Sequence, residues 1–533
     1  MTSTQQPSTP KPSTQQSSSQ QSSSQPPPTQ ASGTGGPGAE HLDVLIVGAG
    51  LSGVGAAWRL QQELPGKSYA ILEGRDNIGG TWDLFRYPGV RSDSDMFTLA
   101  YPFRPWRERK SMASGESIRH YISDTADEGG IRPHIRFGTK VVRSSWDTAT
   151  ARWTVETRTA DGPKTYTCSF LYMCSGYYNY DEGYQPEFEG REDFTGQWVH
   201  PQFWPQDLDY AGKNVVVIGS GATAVTLIPA MAEKAGHVTM LQRSPSYLTV
   251  LPSTDPSADA LRKYLPAKLA HHLLRAQYVT LTQAFYQLAR RRPERVKKIL
   301  RGLALKFLKD EKAVDEHFTP SYEPWDQRLC VVPEGDFFTS IRHGKASVVT
   351  DHIDRITPTG IRLRSGEEIA ADVIVSATGL TLQPLGGMEV FVDGAQVDLG
   401  DTVAYRGLML SGIPNLALCI GYVNASWTLR ADLVSRYVPR LLAHMDRKGY
   451  AIATPRPDQK PDRPLLDLKS GYVQRSVSKF PKQGENDPWR LRQNFFLDAV
   501  GMNRGDLTRD MSFTRLVDLP RTSTEHGAKE LAS

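Results

Sequence analysis

Two glycine-rich turns, Gly48-Ala49-Gly50-Leu51-Ser52-Gly53 and Gly219-Ser220-Gly221-Ala222-Thr223-Ala224, have the spacing that seats the pyrophosphate of a dinucleotide. The first glycine makes the tight turn, the second lets backbone approach phosphate, and the third small residue lets a helix pack close with its N-terminus toward the charge. Glu73, twenty residues beyond Gly53, is placed to accept hydrogen bonds from a ribose. Nineteen residues beyond Ala224 the second unit offers Arg243 and Ser244 instead, and a guanidinium there suits a ribose 2′-phosphate. Two dinucleotide sites in one chain imply electron transfer from a nicotinamide to a flavin, so FAD is expected at the first turn and NADPH at the second.

Each turn needs a strand before it and a helix after it. Residues 42–47 form a short apolar run that reads as a buried parallel strand, followed by helical periodicity through Leu60 and a second strand at 69–72. The pattern recurs with a strand at 214–218, a helix through Ala232 and a strand at 238–241. The fold class is therefore α/β, with two Rossmann-like dinucleotide-binding domains. Residues 255–325 break the alternation with helical periodicity interrupted at Pro266 and Pro293, which reads as a helical insertion in the NADPH domain. Strands return at 346–350, 361–363 and 371–376. This divides the chain into an FAD domain (41–190 and 381–510), an NADPH domain (191–254 and 326–380) and the insertion. A Ser-, Gln- and Pro-rich segment over 1–40, too polar to bury a core, is expected to be disordered, and 511–533 is expected to be a tail.

Two further motifs select the reaction. One is Gly79-Gly80-Thr81-Trp82, which runs on to Arg91-Ser92-Asp93; the other is the spacer Phe194-x-Gly196-x-x-x-His200-x-x-x-Trp204-Pro205 between the two dinucleotide units. Together they resemble the paired signatures of type I Baeyer–Villiger monooxygenases, class B flavoproteins. The runs CSGYYNYDEGY, HPQFWPQDLDY and WDQRLCVVPEGD are similar to the ethionamide-activating subgroup. The resemblance spans roughly residues 41–500.

It implies that FAD is reduced by NADPH and reacts with O2 to give a C4a-peroxyflavin, which inserts oxygen into ketones or oxygenates sulfides and thioamides. It makes Arg328 the cation beside the reacting oxygen and Asp93 the carboxylate that orients it, although Asp93 could also merely cap its own turn. Gly80, Thr81, Trp82 and Asp93 join the FAD site. His200 is implied to hold domain position through linker backbone. Many relatives of this kind carry Lys directly before the catalytic Arg, where Gln327 stands here, and that leaves Arg243 with more of the 2′-phosphate. Side chains from the insertion and the C-terminal loops, Trp427 and Trp489 among them, are candidates for the substrate pocket. A heteroatom monooxygenase with no physiological ketone, and a reductase serving a partner, stay open as alternatives.

Composition narrows the class further. With 39% hydrophobic and 23% charged residues, the 533-residue chain reads as a globular enzyme. Its net charge of +4 is too small for a nucleic-acid binder. Four scattered cysteines fit a reducing cytoplasm, and disulfide reductases are disfavoured because no close cysteine pair follows the first unit. The partners expected are O2 and a small hydrophobic ketone or sulfide. The cations Arg290, Arg291, Arg292, Arg295, Lys297 and Lys298 form either a solvated helix face or a contact for anionic lipid.

Overall fold

The computed structural model describes residues 39–457, 461 and 463–518. The strand Glu40–Val47 lies parallel to Tyr69–Leu72 on one side and to Gly162–Met173 on the other, with Leu45 opposite Ala70 and Leu171. Both faces of this strand are covered: Val44 and Ile46 point into one core and Leu45 and Val47 into another. That explains a run that is apolar without alternation. Among the described residues the sheet has eleven strands, and Leu416–Leu418 returns beside Gly162–Met173 to complete it. The helix Trp427–Lys448 then packs on Leu51–Glu63, joining the two ends of the flavin unit.

A second sheet of five parallel strands runs in the order Ala346–Thr350, His237–Gln242, Asn214–Ile218, Val373–Ser376, Gln197–Val199. Its edge strand comes from the spacer. No residue from 194 to 205 lines the main cavity. Phe194 packs into one core of this sheet and Trp204 into the other, while a Cβ on Gly196 would sit 2.4 Å from the Asp372 carbonyl oxygen.

His200 is buried where the chain passes between the two sheets. A Cβ on Gly183, in the first crossing, would lie 2.2 Å from the imidazole. In the second crossing, Thr378 donates to the Tyr184 carbonyl at 2.9 Å. The ring accepts from Gln202 N–H, and burial holds its pKa below the ordinary value, so it is a neutral wedge between linkers at neutral pH.

The insertion consists of the helices Pro256–Tyr264, Ala267–Arg291, Pro293–Leu308 and Glu311–His317, broken at Pro266 and Pro293 as the sequence predicts. Proline lacks an N–H, which is harmless only in a first turn. The longest helix leaves its own unit and packs on the short flavin-unit helix Met96–Leu99. There the buried Arg275 donates to the carbonyls of Phe97, Thr98 and Ala100 at 3.3, 2.9 and 2.7 Å. Burial pulls its pKa down to about 10, so the charge survives at neutral pH and faces the negative end of that helix.

Met511–Arg515 is not tail: it pairs antiparallel with Tyr450–Pro455. The expected disordered segment, apart from its last two residues, lies outside the described residues, as do 519–533.

Candidate active site

One cavity of about 1060 Å³ runs between the two sheets, and both glycine turns open onto it. At the first turn Gly48 has φ +103°, and a Cβ there would approach the Cys174 carbonyl oxygen to 2.7 Å. Gly50 faces Gly80 so closely that a Cβ on Gly80 would come within 3.1 Å of the Gly50 Cα. The helix Leu51–Glu63 starts at Gly50 with no side-chain cap and no acid in its first turn, leaving its N–H groups for an anion. Glu73 is buried at the cavity wall, where its carboxylate accepts from Ala49 N–H at 2.7 Å and Arg75 N–H at 2.9 Å. Burial pushes its pKa up while those two donors pull it back.

The second turn repeats the design. Gly219 has φ +130°, Gly221 opens the helix Ala222–Met231, and nothing lies within 4 Å of a Cβ built on Gly221. That empty space is where a phosphate can approach backbone. Arg243 and Ser244 are exposed at the cavity rim, and Arg243 makes no ion pair among the described residues. The donor sets therefore fit two dinucleotides. Gly53 and Ala224 do not line the cavity: they are the packing positions of their turns.

Between the turns stand Arg328, Asp93, Thr81 and Trp82, with Gly80 beside them. Arg328 is enclosed by protein yet open to the cavity. Burial works against its charge, but Tyr177, Tyr472 and Asp93 outweigh that effect and hold its pKa above the ordinary value. Burial pushes Tyr177, Tyr178 and Tyr472 upward, so they are neutral phenols at neutral pH. Asp93 is then the neighbour able to balance the guanidinium. Burial raises its own pKa, and Arg328 and Arg91 pull it back. The two are not a contact pair, because no ion pair joins them and Arg91 is engaged with Asp336 at 2.5 Å. The turn-capping alternative falls to Asp95, which accepts from Thr98 N–H at 2.9 Å.

The segment carrying Arg328 is held from both sides. Asp326 pairs with Arg290 of the insertion at 3.0 Å and with Lys469 of the C-terminal loops at 2.9 Å. Lys469, Tyr472 and Arg475 line the cavity. Sequence reasoning missed them, because a loop between proline-rich stretches has no period to read. Trp427 lines the cavity as expected. Trp489 does not: it is fully buried, its indole donating to Asp510 at 2.9 Å. The fold also brings Cys174 and Cys419 together just past the ends of the neighbouring strands Gly162–Met173 and Leu416–Leu418, which their separation in sequence concealed. Both are buried, and burial holds the Cys174 thiol well above its ordinary pKa, so it is no ready nucleophile.

Two dinucleotide-binding units around a shared cavity, with a guanidinium between them, define a two-cofactor flavoprotein oxidoreductase. Residues 45–287 match the pyridine nucleotide-disulphide oxidoreductase family. The chain is 54% identical over 471 residues to the FAD-containing monooxygenase EthA of Mycobacterium tuberculosis, covering 88% of this chain and 96% of that one. It is 54% identical over 462 residues to EthA of Mycolicibacterium smegmatis, covering 86% and 94%. Among solved structures, oxidized steroid monooxygenase bound to NADP superposes with a TM-score of 0.71 at 22% identity, covering 89% of this chain and all of that one. The chain belongs to the EthA-type FAD-containing monooxygenases and has the fold of the Baeyer–Villiger enzymes.

Proposed function

We propose that the protein is an NADPH-dependent Baeyer–Villiger monooxygenase that inserts one atom of O2 into ketones, giving esters or lactones, and oxygenates sulfides or thioamides. The observation that carries this reading is Arg328, a permanently charged group facing the cavity between the two glycine turns. The Gly48–Gly53 turn, Glu73, Gly80, Thr81 and Trp82 would hold FAD; the Gly219–Ala224 turn, Arg243 and Ser244 would hold NADPH. The flavin, when bound, supplies hydride acceptance and oxygen activation.

The chain's own residues supply the rest. Arg328 stabilises negative charge at the reacting oxygen without giving up a proton. Asp93 limits the cost of keeping that cation away from bulk water. Trp82, Phe85, Tyr177, Tyr178 and Trp427 wall the cavity with rings that exclude water. The test is NADPH- and O2-dependent formation of esters and sulfoxides by the purified yellow protein, read by mass spectrometry. NADPH oxidation with no oxygenated product would leave a reductase.

Selection of NADPH rests on Arg243, since Gln327 carries no charge and Lys469 is committed to Asp326. Arg243→Ala is expected to raise the NADPH Michaelis constant by about tenfold, the loss of one charge-assisted phosphate contact, and to leave that for NADH nearly unchanged. Steady-state kinetics with both nucleotides checks this.

We also propose that the insertion rests on anionic membrane surfaces. Residues 260–308 hold twelve Lys and Arg against the single acid Glu294; of these Arg275 is buried and Arg290, Lys297 and Arg301 are paired with acids, which leaves the others, Arg291, Arg292, Arg295 and Lys298 among them, to carry the contact. The same helices expose Tyr264, Leu273, Leu281 and Ile299, an arrangement suited to the lipid interface. No helix among the described residues is long and apolar enough to cross a membrane. Sedimentation with phosphatidylserine vesicles is expected at low salt and lost at high salt; no binding at low salt overturns it.

A further inference from the structure

Four of the lysines and arginines that line the cavity are spent on acids: Arg75 on Asp83, Arg91 on Asp336, Lys140 on Asp181 and Lys469 on Asp326. Among the described residues, three more line it with no ion pair: Arg243, Arg328 and Arg475. In the function proposed above Arg243 serves the 2′-phosphate and Arg328 the reacting oxygen, which leaves Arg475 without a task. One strong charge is also without a partner. A dinucleotide carries a negative pyrophosphate, and neither glycine turn contains a lysine or arginine of its own.

Arg475 stands beside the second turn. The strand Val373–Ser376 runs parallel to Asn214–Ile218, with Ser376 opposite Ile218, and a Cβ on Gly219 would lie 2.3 Å from the Ala377 carbonyl oxygen. Two residues further on, a Cβ on Gly379 would lie 3.2 Å from Arg475 Nη2. The sheet continues from Asn214–Ile218 to His237–Gln242 on one side and to Val373–Ser376 on the other. The guanidinium is thus at the carboxyl end of the strands where the sheet order reverses, the crevice in which open α/β sheets bind ligands.

The side chain is held in place without being neutralised. Its guanidinium carbon lies 3.4 Å from the centroid of the Tyr184 ring, a stack that engages the face of the group and leaves the N–H donors at its edge for an anion. Tyr184 is tied to the same strand end, its carbonyl accepting from Thr378. The backbone below Arg475 is anchored as well: Lys469 N–H donates to the Asp326 carbonyl at 2.9 Å, Val473 is buried in a core of the flavin unit, and Arg475 N–H closes the turn onto the Gly471 carbonyl at 3.1 Å.

We infer that Arg475 binds the pyrophosphate of the nicotinamide nucleotide, so that the C-terminal loop completes a phosphate site whose other donors are the backbone N–H groups of the Gly219–Ala224 turn. This rests on the NADPH-dependent monooxygenase reading and divides the recognition of its nucleotide between two cations. Arg243 reads the 2′-phosphate and so distinguishes NADPH from NADH; Arg475 grips the part that both nucleotides share.

The test compares the flavin-loaded wild type with Arg475→Gln. Calorimetric titration with NADP⁺ is expected to show binding weaker by about tenfold in the variant, what one charge-assisted phosphate contact supplies. In anaerobic flavin reduction, the half-saturating concentrations of NADPH and of NADH are expected to rise by the same factor. Flavin content and melting temperature are expected to match the wild type, because Arg475 is exposed and the flavin turn is untouched. Unchanged NADP⁺ affinity overturns the inference and leaves the Tyr184 stack as a structural contact. A loss confined to NADP⁺ and NADPH overturns it in favour of the 2′-phosphate, and a loss of flavin overturns it in favour of the other pyrophosphate. Ester formation by the wild type reports the monooxygenase reading separately.

Discussion

Arg328→Ala is expected to go on oxidising NADPH at a rate near that of the wild type, while ester formation falls by about 10²–10³-fold, the usual effect of removing one group that stabilises charge in a transition state. The two activities separate because Arg328 is partly buried in the cavity wall, whereas the groups assigned to nucleotide selection are exposed. Arg243 and Ser244 stand at the rim, and both glycine turns remain intact. Reducing equivalents no longer spent on substrate should leave as hydrogen peroxide, so the ratio of peroxide to product is the sensitive readout. Arg328→Lys is expected to recover little, because an ammonium buried beside three neutral phenols loses its proton more readily than a guanidinium does. Ester formation retained in the alanine variant would remove Arg328 from the chemistry.

Gly53→Ala is expected to yield protein without bound flavin, or no folded protein. A methyl group at this position would lie 1.8 Å from the Gly48 carbonyl oxygen and 3.0 Å from its carbon. Both are backbone atoms of the turn that must cradle the pyrophosphate, so nothing flexible can yield. The cost is about 3 kcal/mol or more, the upper range for overpacking a close-packed interior. Gly221→Ala is the informative contrast. With nothing within 4 Å of its Cβ, that variant is expected to fold, stay yellow and melt near the wild type, yet bind NADPH poorly because the methyl occupies space needed by phosphate. Visible absorbance, melting temperature and the NADPH Michaelis constant together distinguish the two. A yellow, stable Gly53→Ala protein would show that the turn can open.

Much of the frame was legible because its causes are local. Strands buried on both faces must be apolar runs, and turns that admit a phosphate must be glycine, so both units could be placed from residues within about thirty positions of one another. The helical insertion showed itself through period and through Pro266 and Pro293. What was not legible depends on distant segments. Nothing in the sequence near Tyr472 or Lys469 says that this loop folds back over Arg328, and Trp489 could not be told from Trp427 without the packing that buries one and opens the other. The spacer is the instructive case. Phe194, Gly196, His200 and Trp204 mark the chain unmistakably, yet they are the joinery of two linkers and a sheet edge, placed outside the cavity whose chemistry they signal.

Glu73 carries a consequence for redesign. Its two carboxylate oxygens already anchor the backbone N–H groups of Ala49 and Arg75, so the residue that would read the ribose also tensions the loop beneath the phosphates. Sugar selectivity and phosphate grip are thus not separable modules. An attempt to retune this enzyme for an unnatural flavin cofactor by changing position 73 alone would slacken the loop at the same moment, and would need a compensating acceptor for Ala49 built in beside it.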